Sequence, residues 1–441
     1  MARLWLGNSR TEHMIDRIDL LREESRVNNS LVAMRLVWLL GDGDVVVLPQ
    51  PATSTFMEYV AHHTGVDPES IHVISPDSDI LTQDFLHSED VLQQIRKLIG
   101  PDWEFCPYIY DRGAAIFAQE LGLAPDRGQS FMGQGGAELF NSKVIFRAFA
   151  SAIGAPIPDG MPCMTTHDLS RTLERLLENT DSVIVKRDRA VGGNGNYVVT
   201  TDPALAALGA FSAIHIESSK TLDEAIAAAG LTATHAPLGE VVVEEFHPDC
   251  ISVYAEFLCD RTDDAPRMLS SGKLRMAEDP PVLEGFEIPL AGVPEGSQET
   301  FLGEAARMAH AIQKIGYFGL VNIDAVISSN GDVWFNEVNA RIGGSTHLSR
   351  IPEKLVGPDW TATHILMSGT ISSAPPIRTL TEQLSDNQLS WNAERQEGIV
   401  VVSAGAETGG KAEYIVLAAG WKEARDLEVT MQGLLARNGF R

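Results

Sequence analysis

The residues best equipped for chemistry lie between Asn322 and Arg341. Two strand-like runs flank Asn330-Gly331, a pair suited to a two-residue type I′ hairpin turn, whose central positions both need positive φ. That turn sets a register in which Ser329 faces Asp332, Asp324 faces Glu337 and Asn322 faces Asn339, with 322, 324, 337 and 339 on one face. Asp324 and Glu337 would then have Cβ atoms roughly 5 Å apart, and like charges so opposed are destabilising unless compensated. A cation is the natural compensator. Two carboxylates and the Asn339 amide oxygen form a hard, all-oxygen donor set that suits Mg²⁺ shared with phosphate oxygens. The plainer alternative is an exposed hairpin whose acids sit in water.

Lys186 ends an apolar strand expected over residues 183–185, and the loop after it carries Gly192-Gly193-Asn194-Gly195 before a second strand over 197–199. Such a loop can fold backbone N–H groups over phosphates with an ammonium beside them; it can equally be a glycine-rich β-turn. It is not a Walker A loop, because no Gly-Lys-Ser/Thr follows. The run Val241-Val242-Val243-Glu244-Glu245-Phe246-His247-Pro248-Asp249 reads as an apolar strand breaking into a polar turn. It can offer backbone groups to an adenine edge and acidic side chains to the exocyclic amine and ribose hydroxyls. A strand end with solvated acids has the same pattern.

The elements that must position these residues are legible in outline. Residues 11–40 and 79–99 have helical periodicity, residues 45–48, 71–74 and 105–110 read as strands, and 111–121 as a helix. This alternation predicts an open parallel, Rossmann-like layer over residues 1–135, without a G-x-G-x-x-G fingerprint. A Gly- and polar-rich connection over 127–138 leads to a helix over 141–153 and a mixed α+β region over 136–372, whose lobes divide near 237 and whose last helix covers 299–315. A Pro/Ser stretch at 371–376 introduces a small α+β tail, 373–441, with strands over 398–403 and 414–417 and a helix over 421–437.

A length of 441 residues argues for two or three domains. The 60 acids outnumber the 34 Lys and Arg, and the net charge of −26 argues against an extended nucleic-acid face, since phosphates would be repelled. The four cysteines are far apart and indicate neither a zinc ribbon nor a disulfide framework. With no apolar stretch of roughly 18 residues and no secretory signal, a soluble cytoplasmic protein is expected. Seven acids and no base lie between Arg275 and Arg307 (Glu278, Asp279, Glu284, Glu287, Glu295, Glu299, Glu304), read as a mobile flap or a solvated loop.

Taken in order, Lys143, Lys186 with its glycine loop, Glu244-Glu245-Phe246, and Asp324 with Glu337-x-Asn339-x-Arg341 resemble the ATP-grasp family of ligases. The resemblance implies the ATP-grasp fold behind a pre-ATP-grasp domain and a clamp on ATP. Lys143 and Lys186 would contact its phosphates, Glu244, Glu245 and Phe246 the adenine, Asp249 the ribose, and Asp324, Glu337 and Asn339 the Mg²⁺. Relatives also place a cation near the terminal phosphate, which implies Lys273 or Arg275 here. The opening Trp5-Leu6-Gly7-Asn8-Ser9, the run from Asn336 to His347 and the tail are similar, more narrowly, to peptide ligases of antibiotic biosynthesis in actinobacteria.

The activity so implied is ADP-forming: a guanidino-bearing, non-proteinogenic amino acid is activated as an acyl phosphate and coupled to the amine of a peptide. Arg341 would orient the donor and stabilise the oxyanion, or else pair with Glu337. Gly343-Gly344 would let a substrate approach the backbone, with Ser345 and His347 beside it. A homodimer is expected. Two other readings share the motifs, a nucleotide-binding regulatory protein without turnover and an ATP-dependent carboxylase.

Overall fold

The computed structural model describes residues 2–11, 14, 23–123, 129–189, 195–205, 207, 209–210, 212–217, 222, 241–276, 283–404 and 409–440. A four-stranded parallel sheet is built from β1 (Arg3–Leu6), β2 (Val45–Val47), β3 (His72–Ile74) and β4 (Glu104–Pro107), in the order β3-β2-β1-β4. The expected strand-helix alternation is present. The sequence reading placed no strand before residue 45, yet β1 lies inside the sheet, where Leu4, Trp5 and Leu6 are buried and the Trp5 indole donates to Asp44 Oδ2 at 2.9 Å. The helix expected over 11–40 is seen as Glu23–Met34 running into a 3₁₀ turn, Arg35–Leu39, and residues 12–13 and 15–22 lie outside the described set. The connection expected over 127–138 contains two short helices, Gln129–Gly133 and Gly136–Phe140.

A five-stranded sheet follows, from β5 (Gly160–Cys163), β6 (Ser182–Arg187), β7 (Asn196–Thr200), β8 (Ser212–His215) and β9 (Val241–Glu245), in the order β5-β9-β6-β7-β8. Helix Thr166–Leu177 closes its core through Leu169, Leu173 and Leu176, a 3.6-residue stripe.

The third sheet is antiparallel and has eight strands: β10 (Ile251–Cys259), β11 (Arg267–Met276), β12 (Leu283–Ile288), β13 (Gly319–Ile327), β14 (Val333–Asn339), β15 (Ile365–Ala374), β16 (Gly398–Ala404) and β17 (Gly410–Ala418). Their order is β14-β13-β10-β11-β12-β15-β17-β16, so the tail strands β16 and β17 continue the same sheet, and β15 runs through the boundary placed at 372. Helix Ser297–Ile315 packs Phe301, Ala305, Met308 and Ile312 against this sheet, and helix Trp421–Arg437 covers its tail end. No described helix is long and apolar enough to cross a membrane.

The acidic stretch is not one flap. Glu284 and Glu287 belong to β12, Glu299 and Glu304 to the helix Ser297–Ile315, and Glu278 and Asp279 lie outside the described residues.

Candidate functional site

The β13–β14 hairpin opposes Asp324 to Glu337 and Asn322 to Asn339, as the register argument requires, but by a different route. The loop has three residues rather than two: Ser328 N donates to Asp332 O, Gly331 N donates to Ser328 O, and only Gly331 (φ 89°) is left-handed. The expected Ser329–Asp332 pairing is therefore absent. A three-residue loop moves every pair by one, and a bulge between Asp324 and Ala325, opposite Asn336, moves it back. The odd-numbered side chains Val321, Ile323, Ala325 and Ile327 fill the core, while Asp324, Asn336, Glu337 and Asn339 line a cavity of about 400 Å³ between the sheets.

Asn339 Nδ2 donates to Asp324 Oδ2 at 3.0 Å and to Glu337 Oε1 at 2.8 Å, so the two carboxylates converge on one point. The amide presents its nitrogen to them, not the oxygen expected of a metal ligand, because a donor between two carboxylates offsets their repulsion. Burial and then the charge of Glu337 push the Asp324 carboxyl well above its ordinary range. Burial opposes ionisation of Glu337 too, but Lys143, the Asn339 amide, Arg341 and Lys186 together hold it below the usual value. Such a pair fits a hard cation. Among the described residues it is not joined by a third acid or a histidine, so an ion held here would take further oxygens from a ligand, the habit of Mg²⁺.

Lys143 begins the helix Lys143–Ala152, which is capped by Ser142 Oγ accepting from Ile145 N at 3.1 Å. Asp188 Oδ1 accepts from Ser142 Oγ (2.8 Å) and Val144 N (2.9 Å), tying this helix start to the end of β6. The cap aims the buried Lys143 ammonium at Glu337 Oε2, 3.3 Å away. Lys186, on β6, lies diagonally across from Glu244 on β9, and its Nζ is 2.5 Å from Glu244 Oε2. Of the glycine loop, Gly192, Gly193 and Asn194 lie outside the described residues, and Gly195 O accepts from Arg187 N.

Glu244 is only 2% exposed, and its other oxygen accepts from Arg147 Nη1 at 2.7 Å. A carboxylate held by two buried cations is not free for an adenine amine, so Glu244 lines the cavity mainly as the anchor of Lys186. The Glu245 and Phe246 amides already donate to Asp159 O and Ser182 O, which leaves neither N–H for an adenine edge. Half-buried Glu245 stays on the cavity wall beside His247, whose ring stacks on Trp334 with centroids 4.0 Å apart. Burial lowers the His247 pKa against the pull of Glu245, Asp332 and Glu244. Asp249 is exposed in the turn beyond, with φ 59°, and does not line the cavity.

The cavity also carries arginines on its wall, a feature the overall charge conceals. Arg341 lines it and donates to Asn141 Oδ1, not to Glu337. Arg10, Arg35 and Tyr108 line it from the parallel-sheet side. Arg35 forms a bidentate pair with Glu413 of β17 and also bonds Tyr108. Sequence reasoning missed Arg147, Arg10 and Arg35. Arg147 was findable, since it lies one helical turn after Lys143; Arg10 directly follows the Trp5–Ser9 run.

Several expected residues lie elsewhere. On β11, Leu274 and Met276 face the cavity, so Lys273 and Arg275 fall on the other face by the period of two. There Lys273 pairs with Glu287 at 2.7 Å, and Arg275 binds both oxygens of Glu428 in the last helix, at 2.7 and 3.0 Å. His347 is buried at the start of helix Thr346–Leu355, off the cavity, with its pKa pulled down by burial and then by Arg35. Gly343 and Gly344 do line the cavity, but a Cβ on Gly343 would lie 2.2 Å from Asn322 Nδ2, so its missing side chain admits Asn322 rather than a substrate. Asn322 in turn accepts from Ser345 Oγ (3.0 Å) and donates to buried Glu256 (3.3 Å).

The family described as the pre ATP-grasp domain matches residues 33–123, and that described as the PGM1 C-terminal domain matches residues 379–430. A comparison with curated protein sequences finds no match. Among solved structures, an ADP complex of N5-carboxyaminoimidazole ribonucleotide synthetase is 12% identical with a TM-score of 0.59, covering 98% of this chain and 96% of that one. A biotin carboxylase from Campylobacter jejuni is 13% identical with a TM-score of 0.58, covering 96% and 88%. The N5-carboxyaminoimidazole ribonucleotide synthetase of Thermus thermophilus is 14% identical with a TM-score of 0.57, covering 98% of each chain. At these identities the likeness is one of architecture: the chain has the ATP-grasp fold, entered through a pre-ATP-grasp parallel sheet.

Proposed function

We propose that the protein is an ATP-dependent, ADP-forming carboxylate–amine ligase. The observation that carries the reading is the convergence of Asp324 and Glu337 on Asn339, with Lys143 at 3.3 Å from Glu337 and Arg341 on the same cavity wall. Mg²⁺ held by Asp324 and Glu337, with Asn339 turned by half a rotation about χ2, would neutralise phosphate charge. Lys143 and Lys186 hold the phosphates, and the strand end at Glu245–His247 with Trp334 flanks the base. A donor carboxylate oxygen attacks the terminal phosphorus of ATP and ADP departs. An amine then attacks the acyl carbon, loses a proton, and inorganic phosphate departs. Arg341 carries fixed charge toward the acyl oxygen in both steps.

The finer reading is peptide-bond formation between a guanidino-bearing amino acid and a peptide amine, by a homodimer. It is supported by the similarity of the Trp5–Ser9 run, the run from Asn336 to His347 and the tail to the peptide ligase of pheganomycin biosynthesis. With the cavity basic near Arg341, a guanidino group would have to point away from that wall. A carboxylase is the second reading, favoured by the structural neighbours; one of them, a biotin carboxylase domain dimer from Hydrogenobacter thermophilus, holds MgADP and bicarbonate.

The test is incubation with Mg²⁺, ATP, hydroxylamine as surrogate amine, and a panel of guanidino and ordinary amino acids. Hydroxamate formed together with ADP supports the ligase. Bicarbonate-dependent ADP release without hydroxamate supports the carboxylase, AMP release refutes the acyl phosphate, and nucleotide binding without any release leaves a regulatory module.

A further inference from the structure

Among the described residues, Arg10 is a cavity-lining cation with no pairing partner. Lys143 and Lys186 meet Glu337 and Glu244, and Arg35 is saturated by Glu413 and Tyr108. Arg10 has no hydrogen bond or ion pair to any described residue, although it is half-buried on the cavity wall. Its charged neighbour is another cation, Arg341, and burial followed by that repulsion lowers its pKa. Of the lining acids, Glu244 is bonded by Lys186 and Arg147, Glu337 is paired with Lys143, and Asp324 accepts from Asn339, and none is bonded to Arg10. A guanidinium that is partly desolvated and bonded to no acid, on a cavity wall that also carries Arg341, is a receptor for an anion.

The receptor is also built in advance. Asn8 Nδ2 donates to Ile109 O at 2.8 Å and Asn8 Oδ1 accepts from Ile109 N at 3.1 Å, while Ser9 Oγ bonds Asn29 Oδ1. These bonds fix the loop that leaves β1, so Arg10 is presented from a rigid base.

We propose that Arg10, from the parallel-sheet domain, and Arg341, from the end of the metal hairpin, together bind the carboxylate of the acid to be activated. The inference rests on the ligase reading and narrows it. Specificity for a carboxylate would come from a residue outside the nucleotide clamp, and the rest of the donor would extend away from the basic wall.

The test is calorimetric titration of the full chain, saturated with Mg²⁺ and the non-hydrolysable analogue AMPPNP, with two matched pairs of probes: L-arginine with agmatine, and L-alanine with ethylamine. Each pair differs by one carboxylate. A charge-assisted bidentate contact predicts that at least one amino acid binds wild type about ten- to a hundredfold more tightly than Arg10→Met, with Arg10→Lys in between. Agmatine and ethylamine should bind wild type and variant alike, and AMPPNP affinity should not change. The inference is overturned if neither amino acid separates wild type from Arg10→Met. It is also overturned if Arg10→Met weakens AMPPNP by the same factor, since the anion is then a nucleotide phosphate. Failure of wild type itself to bind AMPPNP overturns the ligase reading and this inference with it, which separates the two.

Discussion

Replacing Asp324 by Asn should stabilise the metal-free protein while abolishing its response to Mg²⁺ and nucleotide. Bonds of 3.0 and 2.8 Å to one Asn339 nitrogen keep the Asp324 and Glu337 oxygens within about 6 Å of each other, where two negative charges repel by about 3 kcal/mol at an effective dielectric near 20. Lys143 and Arg341 also attract Asp324, so the net gain expected of Asp324→Asn is about 1–3 kcal/mol. The pH dependence has a definite sign. The Asp324 carboxyl is raised in the folded state, so wild type in EDTA loses stability as pH climbs above the ordinary aspartate range, and the variant should lose less. Urea unfolding at pH 8 in EDTA measures the first effect. Repetition with Mg²⁺ and AMPPNP at a hundredfold excess over the dissociation constant should stabilise wild type by about 2.7 kcal/mol and the variant far less. A variant no more stable than wild type in EDTA, or equally stabilised by Mg²⁺ and AMPPNP, would refute the convergence of these acids on a shared ion.

Glu256 is fully buried, and burial lifts its carboxyl from 4.5 to about 7 against hydrogen bonds from Thr346 and Asn322. Between those values only the unfolded chain releases the proton, so stability should fall by about 3 kcal/mol as pH rises, and Glu256→Gln should flatten that slope in urea titrations at pH 4 to 8. Glu244→Ala leaves Lys186 and Arg147 buried without their counter-ion, with an expected loss of about 3–5 kcal/mol, read by chemical denaturation; an unchanged midpoint would contradict the pairing. Arg275→Met should cost about 1–3 kcal/mol by removing the bidentate bond to Glu428, while AMPPNP affinity holds, and Lys273→Met should leave AMPPNP affinity alone as well. Loss of nucleotide binding in either variant would restore them to the phosphate site.

What could be read in advance follows from how far along the chain each determinant reaches. The hairpin acids depend on a register set within twenty residues, and even there the correct pairing came from two departures that cancel, a longer loop and a bulge at Asn336. The helix that carries Lys143 was visible over 141–153 because its determinants are local, and the structure adds the Ser142 cap that starts it at Lys143. Lys273 and Arg275 were named through the resemblance, but which face of their strand meets the cavity was not legible, since period two is satisfied by either parity until a partner is known. β1 is four residues long and gives little periodicity to detect, although it sits inside its sheet.

The charged residues were the hardest to assign because their partners are remote. Glu244 meets Arg147 across 97 positions, Arg275 meets Glu428 across 153, and Arg35 meets Glu413 across 378. By charge alone Arg10, Arg35, Arg275 and Arg341 are alike, and only the resemblance singled out Arg275 and Arg341. The fold pairs Arg275 and Arg35 with a carboxylate each, bonds Arg341 to Asn141 within reach of the Asp324 and Glu337 charges, and gives Arg10 no acid among the described residues. An arginine is available to a substrate only if no acid in the folded chain has neutralised it, and that depends on tertiary pairing which no sequence window contains. In a chain carrying 26 net negative charges, a cavity-lining guanidinium with no acid bonded to it among the described residues is the less expected outcome, which is why Arg10, more than the acids, marks where an anion enters.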